Sequence, residues 1–86
     1  MENKASQFSI TIYTENQIGL LVKICSIFTR RGLSIWSLNA TATFTPNVHR
    51  IVIVVIDSCE KSIKCAVEQV SGLVDVINAF YTKDEF

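Results

Sequence analysis

From Thr14 to Leu21 the sequence reads Thr-Glu-Asn-Gln-Ile-Gly-Leu-Leu, where an alternating segment runs straight into a helical pattern with a glycine in its first turn. Backbone N–H groups in the first turn of a helix have no partner inside the helix, and they lie at the positive end of its dipole. A side chain at position 19 would cover them. Gly19 leaves them open to a small carboxylate, such as that of an amino acid. The plainer reading of the same residues is that Asn16 caps the helix and Gly19 eases a tight turn.

Other chemistry finds less support. Catalysis asks for a base or nucleophile held by a partner group. His49 is the one histidine; it stands beside Arg50 at the start of a strand pattern, with no acidic residue near in sequence to form a dyad. It reads as an ordinary strand-end residue, and no catalytic residue is assigned; a small hydrolase built on His49 and Arg50 is the enzymatic rival. Cys25, Cys59 and Cys65 form an odd set without a C-x-x-C pair. They are expected to be reduced thiols in a cytoplasmic protein, and no metal ligand is assigned. The 8 basic and 8 acidic residues cancel, so no basic face recommends nucleic acid. The apolar run at 52–56 is too short to cross a membrane, and residues 1–7 lack the apolar stretch of a signal peptide.

The elements that must position the loop are legible from periodicity. Residues 8–13 alternate, with Phe8, Ile10 and Ile12 facing a core. Leu20, Leu21, Ile24, Ile27 and Phe28 recur at helical spacing, and Gly32 stops that helix in a left-handed conformation, with Arg30 and Arg31 at the negative end of its dipole. Residues 33–44 form a second strand with Trp36, Leu38, Ala40, Ala42 and Phe44 on one parity; Ile35 on the other parity predicts a twist or bulge near Trp36. Thr45-Pro46-Asn47 is a turn, and 48–56 is a third strand, apolar on both parities. Asp57-Ser58-Cys59-Glu60 has the form of a capping box, with Asp57 as the cap and Glu60 reaching back. Ile63, Ala66, Val67 and Val70 mark a second helix ended by Gly72. A fourth strand follows at 74–81, and 82–86 is a polar tail.

Two strand-helix-strand units with right-handed crossovers interleave into an α+β, ferredoxin-like βαββαβ fold. Its four-stranded antiparallel sheet has the first and third strands central and both helices on one face. The other face has no helix, yet Val52, Val54 and Ile56 point there. An apolar fraction of 49% in 86 residues also exceeds what one small core needs, so self-association through the open face, the strand edges or both is expected. A ligand would meet backbone groups at Gln17, Ile18 and Gly19 and the Asn16 side chain, with Leu20, Leu21 and Ile35 as apolar walls. Ser34, at the far end of the helix, would serve the ligand of a neighbouring subunit, or be a plain strand-start hydroxyl.

The ordered set Ile12-Tyr13-Thr14-Glu15-Asn16-Gln17-Ile18-Gly19-Leu20-Leu21 and Ile27-Phe28-Thr29-Arg30-Arg31-Gly32-Leu33-Ser34-Ile35 resembles an ACT domain. Within that superfamily it is most similar to the small regulatory subunit of acetolactate synthase, also called acetohydroxyacid synthase. Ser37-Leu38-Asn39, the segment from His49 to Val55 and Leu73-Val74-Asp75-Val76-Ile77 add to the likeness. The resemblance implies a non-catalytic chain that forms a homodimer or higher homo-oligomer. It would bind valine, or another branched-chain amino acid, at the dimer interface. It would also dock on the catalytic (large) subunit, conferring feedback control. Thiamine diphosphate and Mg are then expected on the catalytic partner and no cofactor in this chain. By position, Asn16, Gln17, Ile18 and Gly19 match the ligand loop. Ser34 stands where the family usually has asparagine, and Trp36 where many members have glutamate. The alternative is a ligand-independent ACT-type dimerisation and docking module. The whole chain, 1–86, reads as one ACT domain with its core at 7–82. Typical members carry a second domain, though short forms exist. Residues 83–86 are thus a tail or the start of a linker, and the chain is a short form or part of a longer subunit.

Overall fold

The computed structural model describes residues 6–15, 18–57 and 59–84. Six elements follow in the order β1 (Ser6–Glu15), α1 (Ile18–Arg30), β2 (Ile35–Ala42), β3 (Val48–Asp57), α2 (Glu60–Ser71) and β4 (Val76–Asp84). They build the expected βαββαβ arrangement, a four-stranded sheet in the order β2-β3-β1-β4 with every neighbouring pair antiparallel. The alternation in β1 is strict: Phe8, Ile10, Ile12 and Thr14 are buried. Ile51, Ile53 and Val55 lie beside them on β3 and face the same way. Leu20, Ile24, Ile27 and Phe28 of α1 close over these residues together with Ile63, Ala66, Val67 and Val70 of α2, so one core lies between the sheet and both helices.

Helix α1 ends as its sequence requires. Gly32 takes φ 73°, its N–H donates to the Thr29 carbonyl (3.0 Å), and the Leu33 N–H reaches the Phe28 carbonyl (3.0 Å). These are the two bonds of a Schellman cap, and they return Leu33 to the core. Gly72 ends α2 differently. It keeps a right-handed conformation (φ −81°); its N–H donates to the Gln69 carbonyl (3.2 Å), and the Leu73 N–H donates to the Val70 carbonyl (3.0 Å).

Four expectations need correction. The second strand is shorter than 33–44: it starts at Ile35, leaving Ser34 in the connection, and ends at Ala42, leaving Phe44 fully exposed beyond it. The bulge does fall at Trp36, between Ile35 and Ser37, and Trp36 is 68% exposed. Asp57 is not the cap of α2. It closes β3, and its carboxylate accepts the Cys59 N–H (2.9 Å), an Asx turn, while Cys59 occupies the cap position without a side-chain cap bond. Ser58 lies outside the described residues. Glu60 does not reach back: its carboxylate accepts the Tyr81 hydroxyl (2.8 Å) and pairs with Lys83 (3.6 Å), both on β4. A partner on the neighbouring strand has displaced the local box. Lastly, β4 begins at Val76, because Leu73–Val76 is spent on a turn closed by the Val76 N–H (3.2 Å), and it continues through Asp84. Thr82, Lys83 and Asp84 are therefore strand, opposite Ser9, Phe8 and Gln7, where a polar tail was expected. Glu85 and Phe86 lie outside the described residues.

Candidate ligand site

The end of β1 is fixed on both sides. Glu15 lies opposite Val48 at the start of β3, and its N–H donates to the Asp75 carbonyl (3.0 Å) just before β4. The end of β1 is thus held by both neighbours, and α1 begins at Ile18. Asn16 and Gln17, expected to line the site, lie outside the described residues, as does the side chain of Ile18. Gly19 is exposed in the first turn of α1, that turn carries no acidic side chain, and a Cβ built on Gly19 meets nothing within 4 Å. Its φ is not in the left-handed region. Nothing among the described residues therefore requires glycine here, although glycine costs a helix interior about 1 kcal/mol relative to alanine.

The remaining expected residues divide. Leu20 is 6% exposed and its side chain belongs to the core, so it does not form the apolar wall expected of it. Leu21 and Ile35 are half-buried and pack against the same core. Ser34 is exposed. It stands past the C-terminal end of α1, whereas Gly19 stands at the beginning. Thirteen helical residues separate these ends, which at ~1.5 Å per residue is roughly 20 Å. One chain does not bring Gly19 and Ser34 together; a common site needs Ser34 from another copy.

The rival constellations are also placed. His49 faces Thr14 on β1 and Ala42 on β2, neither of which can serve as its acid or base. Cys25, Cys59 and Cys65 are free thiols, and among the described residues no group of three or more His, Cys, Asp or Glu could hold a metal ion. The Ser62 hydroxyl, by hydrogen bonding, holds the exposed Cys59 thiol below its ordinary range.

Some features escaped the sequence reading. Arg50 projects onto the open sheet face between Thr41 and Tyr13. The β2–β3 turn is tied by Thr43, whose Oγ1 donates to the Val48 carbonyl (2.9 Å) and accepts the Thr45 N–H (3.2 Å). The parity of β3 foretold the direction of Arg50. The Thr-x-Thr-Pro spacing was the available signal for the turn.

A family model described as the AHAS small subunit-like ACT domain matches residues 10–78, a span that includes the loop, Gly19 and Ser34. The chain belongs to this family. It is 33% identical over 78 residues to the acetolactate synthase small subunit of Mycolicibacterium smegmatis, covering 90% of this chain and 45% of that protein. To the probable acetolactate synthase small subunit of Archaeoglobus fulgidus it is 30% identical over 69 residues, 80% of this chain and 43% of that one. Among solved structures, the acetolactate synthase small subunit of Thermotoga maritima superposes with a TM-score of 0.75 at 28% identity, over 87% of this chain and 46% of that chain. This ACT domain thus spans less than half the length of each of these relatives.

Proposed function

We propose that this ACT domain is a regulatory, non-catalytic part of an acetolactate synthase that binds a branched-chain amino acid, valine foremost, where two copies meet. The carboxylate would lie on the first-turn N–H groups of α1, with Asn16 and Gln17 in the loop beside it and Ser34 supplied by the neighbouring copy. The observation that carries the reading is Gly19: an exposed glycine in a helical turn, where no described residue of its own chain fills the space a side chain would take. A ligand or a second chain has a use for that space. The acid-free first turn supports the same polarity of binding.

Control of the catalytic subunit, which would carry the thiamine diphosphate and Mg, then follows from linkage. Valine held across two chains favours one dimer geometry, and that geometry alters the contact with the catalytic subunit. The effector moves the equilibrium only by its differential affinity for the two states, typically ~1–3 kcal/mol. A ligand-independent docking module is the second reading, favoured by an open sheet face with Val52, Val54 and Ile56 half-buried and no helix over them among the described residues.

Titration calorimetry of the chain with valine, leucine and isoleucine, at a known oligomeric state, separates the two. Saturable binding that Gly19→Asp abolishes supports the effector site, because the new carboxylate takes the place of the ligand's. A well-folded oligomer that binds none of the three amino acids leaves only the docking module. So would valine inhibition of the reconstituted enzyme that survives Gly19→Asp unchanged.

A further inference from the structure

The sheet face turned away from the helices has an ordered pattern of its own. Along β3 it carries Arg50, Val52, Val54 and Ile56, and the register sets Tyr13, Thr11, Ser9 and Gln7 of β1 beside them in turn. Polar residues flank β3 on its outer side, while Phe80 of β4 stands beside Thr11, its ring 6.5 Å from that of Tyr13. Val52, Val54 and Ile56 are half-buried, and Phe80 is 42% exposed. The charges that β1 and β3 place on this face sit together at one end. Glu15 shares the parity of Tyr13 and lies diagonal to Arg50 across the strand pair. Both side chains are exposed, and among the described residues no ion pair joins them.

An apolar stripe that ends in one cation and one anion is complementary to a second copy of itself. Two sheets packed face to face lie about 10 Å apart with their strands nearly aligned. A two-fold axis parallel to the strands, midway between β1 and β3, lays each β3 over the β1 of the other copy. Arg50 then meets the second copy's Tyr13 ring, with Glu15 of that copy beside it, and symmetry makes the same contact twice. Two arginines and two glutamates gather into one neutral cluster, while Val52 and Val54 cover Thr11 and Ser9. An axis across the strands, through the row of Val52 and Thr11, would set Arg50 against Val54 and Glu15 against Gln7, leaving both charges unmatched. The area also suffices. At ~3.3 Å per residue the face is about 26 Å long from Val48 to Ile56, and at ~4.8 Å per strand it is about 19 Å wide. That is roughly 500 Å² on each copy, about 1,000 Å² together, the size at which specific interfaces begin.

We propose that the open sheet face is an interface with a second copy of this chain, related by an axis parallel to the strands, in which Arg50 of each copy engages Tyr13 and Glu15 of the other. This contact goes beyond the regulatory reading and does not depend on it. An amino-acid site at the ends of α1 would lie on the helical side of the sheet, so one chain can make both contacts at once.

The test is analytical ultracentrifugation of the unaltered chain, of Arg50→Glu, of Glu15→Lys and of an equal mixture of the two variants, all without amino acid. The unaltered chain sediments at twice the mass of either variant, because each reversal gathers four like charges at the contact and weakens association at least about tenfold. Mixing restores the larger species, since one copy is then wholly negative at the contact and the other wholly positive. No contact within a single chain can produce that rescue. Circular dichroism of both variants is unchanged, because both residues are exposed. If both variants keep the mass of the unaltered chain, or if mixing leaves them apart, the proposal is overturned. An unaltered chain no larger than its variants overturns it too. None of these outcomes bears on amino-acid binding, which calorimetry reads separately.

Discussion

Gly32 and Gly19 bracket α1 and answer to different demands. Gly32 sits at φ 73°, where an added Cβ is strained whatever the space around it. Gly19 sits in helical backbone with open space beyond it. Replacing Gly32 by alanine therefore costs about 1–2 kcal/mol, read by urea unfolding. Gly19→Ala leaves stability unchanged or raises it by up to about 1 kcal/mol; the same calorimetry shows weakened amino-acid binding if the space belongs to a ligand. The first glycine was legible because the apolar periodicity of α1 stops beside it. The second was ambiguous in the sequence, because a capped turn and an anion site use the same residue types. Geometry narrows that ambiguity, because none of the described residues needs a glycine at position 19. Glu60 shows the converse. Its spacing from Asp57 suits a capping box, but Tyr81 lies 21 residues away in sequence and in hydrogen-bond range in space, a proximity no local pattern encodes.

Among the elements, those with strict periods were read well and those set by pairing were not. The alternation of β1 and the i, i+3, i+4, i+7 pattern of α2 reproduce the observed core residues. Strand β4 was misplaced at both ends. Val74 has strand propensity but is 96% exposed in a turn, while Lys83 and Asp84 have little propensity and are strand because β1 lies alongside. The link between α2 and β4 also carries a pH dependence. The Tyr81 hydroxyl donates to the Glu60 carboxylate, and a phenolate there would face that charge, so the Tyr81 pKa is raised above its ordinary value of 10.0. A pKa raised on folding contributes stability that is complete below the ordinary value and is lost as the pH rises through the raised one. Thermal melts taken from neutral pH to above 10 should therefore show an alkaline decline that is shallower in Tyr81→Phe. In Glu60→Gln, a spectroscopic titration should return the Tyr81 phenol toward its ordinary value.

At the scale of the molecule, the domain is uneven in both apolarity and charge. One sheet face is covered by helices and the other by none among the described residues, and the sequence from Ile18 to Ile56 holds four lysines and arginines and no acidic residue. Formal neutrality concealed this asymmetry, because net charge adds over the chain without regard to where each residue falls in the fold. The length of α1 has a consequence of its own. The Schellman cap fixes where the helix stops, so under the regulatory reading a lone chain would carry half a binding site at each end of a rod roughly 20 Å long. Two halves on one rod cannot fold together; they can be joined only by a neighbour. Under the regulatory reading, occupancy then reports protein abundance as well as metabolite level. Valine titrations at falling chain concentration should show an apparent Kd that climbs as the oligomer dissociates, and a Kd independent of dilution would mean that Ser34 of a second copy has no part in the site. Such a domain would be a coincidence detector, silent until amino acid and assembled copies are present together.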